Sequence, residues 1–138
     1  MPGAKLATLV DGWEVLIAAE RLDAAALERF AAGRGALFAL AGEAMGAAGD
    51  PLAEAGRGWA LADLARHLGP PDEAEIARTL AGPLLEAATR HRWSGNGRAL
   101  GALVHLARRD LALPSGMPSP VGSPARLARL LWHRFTGL

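Results

Sequence analysis

Apolar residues return along this chain at helical spacing. Between Ala4 and Glu20, Leu6, Leu9, Val10, Trp13, Leu16 and Ile17 fall at i, i+3, i+4, i+7, i+10 and i+11, one stripe that predicts an amphipathic helix. Asp23 suits the N-cap of a second helix over Ala24–Gly46, with Leu27, Phe30, Leu37, Phe38, Ala41 and Met45 as its apolar side. Gly33 and Gly35 interrupt that helix. Each glycine costs about 1 kcal/mol relative to Ala in a helix interior, so the pair points to a close helix approach or a local bend. Gly49-Asp50-Pro51 opens a third helix, Pro51–Leu68, with Asp50 as N-cap and Pro51 at the first helical position.

Gly69-Pro70-Pro71 stops the third helix. Asp72 is expected to cap a fourth, with Glu73 and Glu75 in its first turn, where the helix dipole favours acids. Ile76, Leu80, Leu84 and Leu85 form its expected buried stripe, Pro83 a kink, and Arg90, His91 and Arg92 its basic end. Ser94-Gly95-Asn96-Gly97 is a tight connection to a fifth helix, Gly97–Leu113, with Leu100, Leu103, Val104, Leu106 and Leu111 apolar. A Pro-rich stretch at 113–123, centred on Pro114–Pro120, reads as a linker. Ser123-Pro124 starts the last helix, where Leu127, Leu130 and Leu131 are expected to pack while Arg126, Arg129 and Arg134 face out. The expectation is an all-α bundle of about six helices, one helical domain over residues 1–138.

Ala55–Pro70 stands out within that bundle. Gly56, Ala60, Asp63 and Arg66 follow steps of four, three and three and share one helix face. Glycines with one carboxylate and one guanidinium suit a helix pressed against a neighbour or lining a cavity. The plain alternative is small-residue packing beside a solvated Asp/Arg pair.

Composition narrows the functional classes. Apolar residues make up 51% of 138, mostly Ala and Leu, and Tyr is absent, which argues for packed helices over sheet. Without cysteine there is no disulfide, thiol catalysis or thiolate metal site. No signal peptide and no long apolar run is visible, so a cytoplasmic protein, able to lie against a membrane surface, is expected. The net charge of +1 hides a division. Through Leu85 there are 7 Lys/Arg against 12 Asp/Glu; from Glu86 on there are 8 Arg against Glu86 and Asp110. The basic C-terminal third can be a solvated face or can meet an anionic lipid layer or acidic protein. It has almost no aromatic interleaving to stack bases, so no nucleic acid is expected.

Three stretches together resemble the squalene/phytoene synthase family of head-to-head prenyl transferases. Asp11-Gly12-Trp13-Glu14 is similar to its acidic-Gly-hydrophobic segment. Leu27–Gly46 is similar to its Tyr-containing helix, with Phe30 where Tyr is usual. Gly56–His67 resembles its second polar motif, Gly-x-Ala-x-Gln-Leu-x-Asn-x-x-Arg-Asp, and Trp132-His133 with Thr136-Gly137 resembles the tail of bacterial members. The resemblance covers nearly all of this chain but only about the C-terminal half of a full member. It implies part of the terpenoid synthase fold.

In that family, two carboxylate-rich segments face each other and hold Mg²⁺ ions that bridge the substrate diphosphate, while apolar helix faces shelter the prenyl chains. The first segment would fall upstream of Asp11, beyond the start of this chain. In the second, the family's Gln aligns with Ala60, its Asn with Asp63, its Arg with Arg66 and its Asp with His67; the further acidic pair falls on Pro70 and Pro71. A single carboxylate does not make a magnesium-diphosphate site. His67, His91, His105 and His133 show no metal-ligand spacing, Gly33-x-Gly35 and Gly95-x-Gly97 lack phosphate-loop context, and Asp11 with Glu14 reads as surface charge rather than a catalytic pair.

The resemblance therefore implies a catalytically silent binding or assembly module of isoprenoid-related ancestry, with neither catalytic residues nor metal. The family offers a precedent in an assembly factor of the respiratory NADH dehydrogenase. Its ligand groove would use Asp63, Arg66, Trp59, Gly56, Phe30 and Asp11. No cofactor is expected, and partners are a second copy, a different protein or a lipid tail, because the Leu6–Ile17 stripe would stay uncovered. One alternative is half of a split prenyl-diphosphate transferase, with Mg²⁺ as cofactor and Asp63 essential. Another is a helical scaffold unrelated to prenyl chemistry.

Overall fold

A computed structural model describes residues 2–47, 51–113 and 124–136. Helix α1 spans Pro2–Ala18, α2 Ala24–Ala44, α3 Leu52–His67, α4 Pro71–Arg90, α5 Arg98–Leu111 and α6 Pro124–Thr136, and no strand occurs among the described residues. The regular structure of the described residues is all helical, as the sequence pattern predicts. The predicted Asp50 cap and the Pro114–Pro120 linker lie outside the described residues.

Local signals set the helix ends. The Ala26 N–H donates to Asp23 Oδ1 at 2.8 Å, so Asp23 caps α2 as expected. The far end of α2 closes on Gly46, at φ +75°, with the Ala47 N–H donating to the Gly42 carbonyl and the Gly46 N–H to that of Glu43. This pairing satisfies the last carbonyls of the helix, and glycine adopts the left-handed turn without a side-chain penalty. The expected cap at Asp72 is corrected. Pro70 occupies the cap position of α4, and Asp72 and Glu73 lie in the first turn, because a proline at N1 is preset for helical φ. Helix α4 continues through Pro83. The tight connection is a short 3₁₀ turn, Gly95–Gly97, with Gly95 at φ +47°.

Helix α3 is the centre of the assembly: it packs against α2, α4 and α5, while α1 lies on α2 and α6 on α5. Its composition permits three neighbours. Ala55, Gly56, Gly58, Ala60, Leu61, Ala62 and Ala65 are all buried, so small side chains face nearly every direction. The glycines mark close approaches rather than bends. A Cβ on Gly35 would stand 2.6 Å from the Ala53 carbonyl oxygen of α3, and one on Gly33 would stand 2.7 Å from the Thr8 carbonyl oxygen of α1. A Cβ on Gly56 would overlap the side chain of Phe38.

Several faces differ from the sequence expectation. The buried side of α4 is Ala74, Ala77, Ala81, Leu85 and Ala88, while Ile76, Leu80 and Leu84 are only partly covered. Small residues bring α4 against α3, and the larger ones flank the contact. In α6, Leu127 and Leu131 are 53% and 58% exposed, so the expected packing of these residues is corrected. The α1 stripe is divided: Leu6, Val10, Trp13 and Ile17 remain exposed, while Leu9 and Leu16 are partly covered, Leu16 against the core.

Two core features have no counterpart in the periodicity. Trp93, just after α4, is 1% exposed and donates from Nε1 to the Ala88 carbonyl at 3.2 Å; its ring fills the space left by Gly101. Glu73 is buried on the Ala74–Ala77 side of α4 and accepts the Leu22 N–H at 3.1 Å, fixing the connection between α1 and α2.

Candidate functional site

The polar centre of the fold lies where α3 meets α5. Arg66, one turn after Asp63 on α3, donates from Nη1 to Asp110 Oδ2 at 2.8 Å and from Nη2 to Asp63 Oδ1 at 3.3 Å. The arginine and Asp110 side chains are 14% and 7% exposed, while Asp63 is 47% exposed. The guanidinium is therefore held between one buried carboxylate and one that reaches water. Charge-assisted bonds of this kind are among the stronger ones available to a protein, and both α3 and α5 contribute to them.

Asp110 occupies a helix-spacing position with apolar residues: Leu103, Leu106, Ala107 and Asp110 stand at i, i+3, i+4 and i+7. A carboxylate on the core side of an amphipathic helix must find a cation as it folds. That spacing was the available signal for Asp110, which sequence reasoning missed as a site residue. The side chain of Asp63 also has His67 nearby, at 3.9 Å from Nδ1, and the same imidazole nitrogen is 2.7 Å from the Asp63 carbonyl.

Two small hollows share Trp59 and Asp63. One, of about 200 Å³, lies between α3 and α5 and reaches Arg66, Leu103 and Asp110. The other, of about 170 Å³, lies toward α1 and α2 and reaches Trp13, Phe30, Arg34 and His67. Trp13 meets Phe30 edge-on at 6.0 Å, and the Arg34 guanidinium sits 4.7 Å from the Trp13 ring, a cation–π contact that closes this hollow. Trp59 leans on Phe38 at 6.1 Å.

Four of the six sequence-derived positions are thus together: Asp63, Arg66 and Trp59 on α3, and Phe30 beneath them on α2. Gly56 lies at the α2–α3 contact under Phe38, and Asp11 is exposed on α1; neither lines the two hollows. Arg34 belongs to the cluster and was not singled out, because its role comes from two aromatic rings on different helices.

Among the described residues, no three His, Asp or Glu side chains gather as a metal-binding group. Asp63 and Asp110 would be the two nearest oxygen donors, but the guanidinium of Arg66 stands between them. This arrangement can hold helices in register and present one half-exposed carboxylate. Comparison of the chain with protein-family models, with curated proteins and with solved structures finds no match.

Proposed function

We propose that the chain is a catalytically silent relative of the squalene/phytoene synthases, kept as a helical module that binds at its surface. The observation carrying this reading is the occupation of Arg66. The residue aligned with the family's motif arginine is bound by Asp110 and Asp63 of the same chain, and the aligned Gln and Asp positions hold Ala60 and His67. Holding a diphosphate through Mg²⁺ needs several converging oxygen ligands, and an internal ion pair uses up the ones on hand. The two hollows, about 200 and 170 Å³, also fall below the roughly 300–1,000 Å³ usual for ligand sites. That size argues against a prenyl chain being held beside Asp63 and Arg66.

The outer face is the stripe on α1, and its occupant is a second copy of the chain. Leu6, Val10, Trp13 and Ile17 are 51%, 55%, 42% and 83% exposed and follow steps of four, three and four. Such alternation makes a straight apolar seam for one partner helix. Two copies of α1 crossing antiparallel about a two-fold axis would set Leu6 against Ile17 and Val10 against Trp13, a self-complementary match as an isologous dimer requires. Sedimentation velocity at micromolar concentration is expected to show a dimer, and Val10→Asp combined with Ile17→Asp a monomer of unchanged helix content. A monomeric parent chain would sink this surface.

One observation favours the split-enzyme reading: the carboxylate of Asp63 stays half exposed and borders both hollows. That reading predicts Mg²⁺-dependent turnover of a prenyl diphosphate when the chain is mixed with a polypeptide carrying the first aspartate-rich segment, with turnover lost in Asp63→Ala. The silent-module reading predicts no turnover in either mixture.

A further inference from the structure

We infer that α6 and the adjoining end of α5 form a docking surface for an anionic phospholipid bilayer. Helix α6 runs antiparallel along α5, with Arg98 donating to the Phe135 carbonyl at 2.8 Å near one end and Arg129 beside Arg108 and Arg109 near the other. On this helix Leu127, Leu131 and Phe135 repeat every four residues, and Trp132 widens the same arc. They are 53%, 58%, 75% and 62% exposed, so the apolar arc faces away from the protein that α6 packs on. Leu130, at a different angle, is partly covered.

A helix with this organisation has a use for its outward arc. Leucines and large aromatics on one side, with cations beside them, match a helix lying in the plane of a bilayer interface: the rings and leucines enter the acyl boundary and the arginines meet lipid phosphates. The cations are present. A hollow of about 520 Å³ between α5 and α6 is lined by Arg108, Arg109 and Arg129 together with His105. Arg108 is paired with Glu86, whereas Arg109 and Arg129 are exposed and have no ion-pair partner among the described residues. Exposed arginines next to an exposed apolar arc favour a lipid surface over a purely apolar partner, because phosphate headgroups answer both features at once. This surface is independent of the α1 seam, so either can fail without the other.

The experiment is flotation of the full 138-residue chain with unilamellar vesicles, either pure phosphatidylcholine or phosphatidylcholine mixed with phosphatidylglycerol. Binding is expected to the anionic vesicles alone and to weaken as salt is raised. Arg109→Glu with Arg129→Glu should lower the partition coefficient at least about tenfold, since each basic residue near an anionic surface contributes severalfold. Leu131→Gln with Phe135→Gln, at exposed positions that leave the fold intact by circular dichroism, should abolish it. Three results would overturn the inference: equal binding to neutral vesicles, displacement by inorganic phosphate at constant ionic strength, or no binding of the parent chain to the anionic vesicles. The second would assign the arginines to free phosphate, and the third, if accompanied by an oligomer that the Leu131/Phe135 variant disperses, would assign the apolar arc to another copy of the chain.

Discussion

Replacing Asp110 with Ala is expected to destabilise the protein by about 3–5 kcal/mol, a large part of the roughly 5–15 kcal/mol that holds a domain folded. The reason lies in Arg66. Its side chain is 14% exposed, and removing Asp110 leaves the guanidinium within the fold with only the half-exposed Asp63, at 3.3 Å, as counterion. Most of the loss is the cost of an uncompensated charge rather than the net worth of the pair. Asp63→Ala, by contrast, leaves the 2.8 Å contact to Asp110 intact and removes an ion pair open to water, for which about 0–1 kcal/mol is expected. Urea titration of the two variants measures the asymmetry. Equal losses would mean that Asp63 and Asp110 share the cation evenly. Removing both charges with Arg66→Met and Asp110→Leu should recover much of the stability, because well-packed apolar residues of similar volume often replace a buried pair without penalty.

The second large effect is expected at Gly35. Adding one methyl group there places it 2.6 Å from the Ala53 carbonyl oxygen and 2.8 Å from Arg57 Cγ. The arginine can swing aside, but the carbonyl belongs to the backbone of α3 and moves only if the helix moves. Gly35→Ala should therefore cost about 1–3 kcal/mol, despite Ala being the better helix former by about 1 kcal/mol. Gly3→Ala is the control, since nothing lies within 4 Å of a Cβ at that position in α1. Thermal denaturation should show a lower midpoint for the first variant and an unchanged or slightly higher one for the second. If Gly35→Ala were neutral, α2 and α3 would be able to separate, and α3 could not be the tightly enclosed centre described above.

The sequence by itself determined the helices, their order and most of their ends. Those features are local. Asp23 caps through its own neighbour three residues on, Gly46 turns because it lacks a Cβ, and Gly69-Pro70-Pro71 cannot continue a helix whatever surrounds it. The sequence also marked α3 out, since Gly56, Ala60, Asp63 and Arg66 follow one another at helical spacing. Which apolar faces are covered was decided only by tertiary structure. The stripes on α1, α4 and α6 look alike in one dimension, yet Leu85 is fully buried, Leu84 partly so and Leu131 mostly open, because burial depends on which helix arrives opposite. The partner of Arg66 was decided the same way. Asp63 is its neighbour in sequence, but Asp110, 44 residues away, makes the shorter and more deeply buried contact because α5 packs directly on α3.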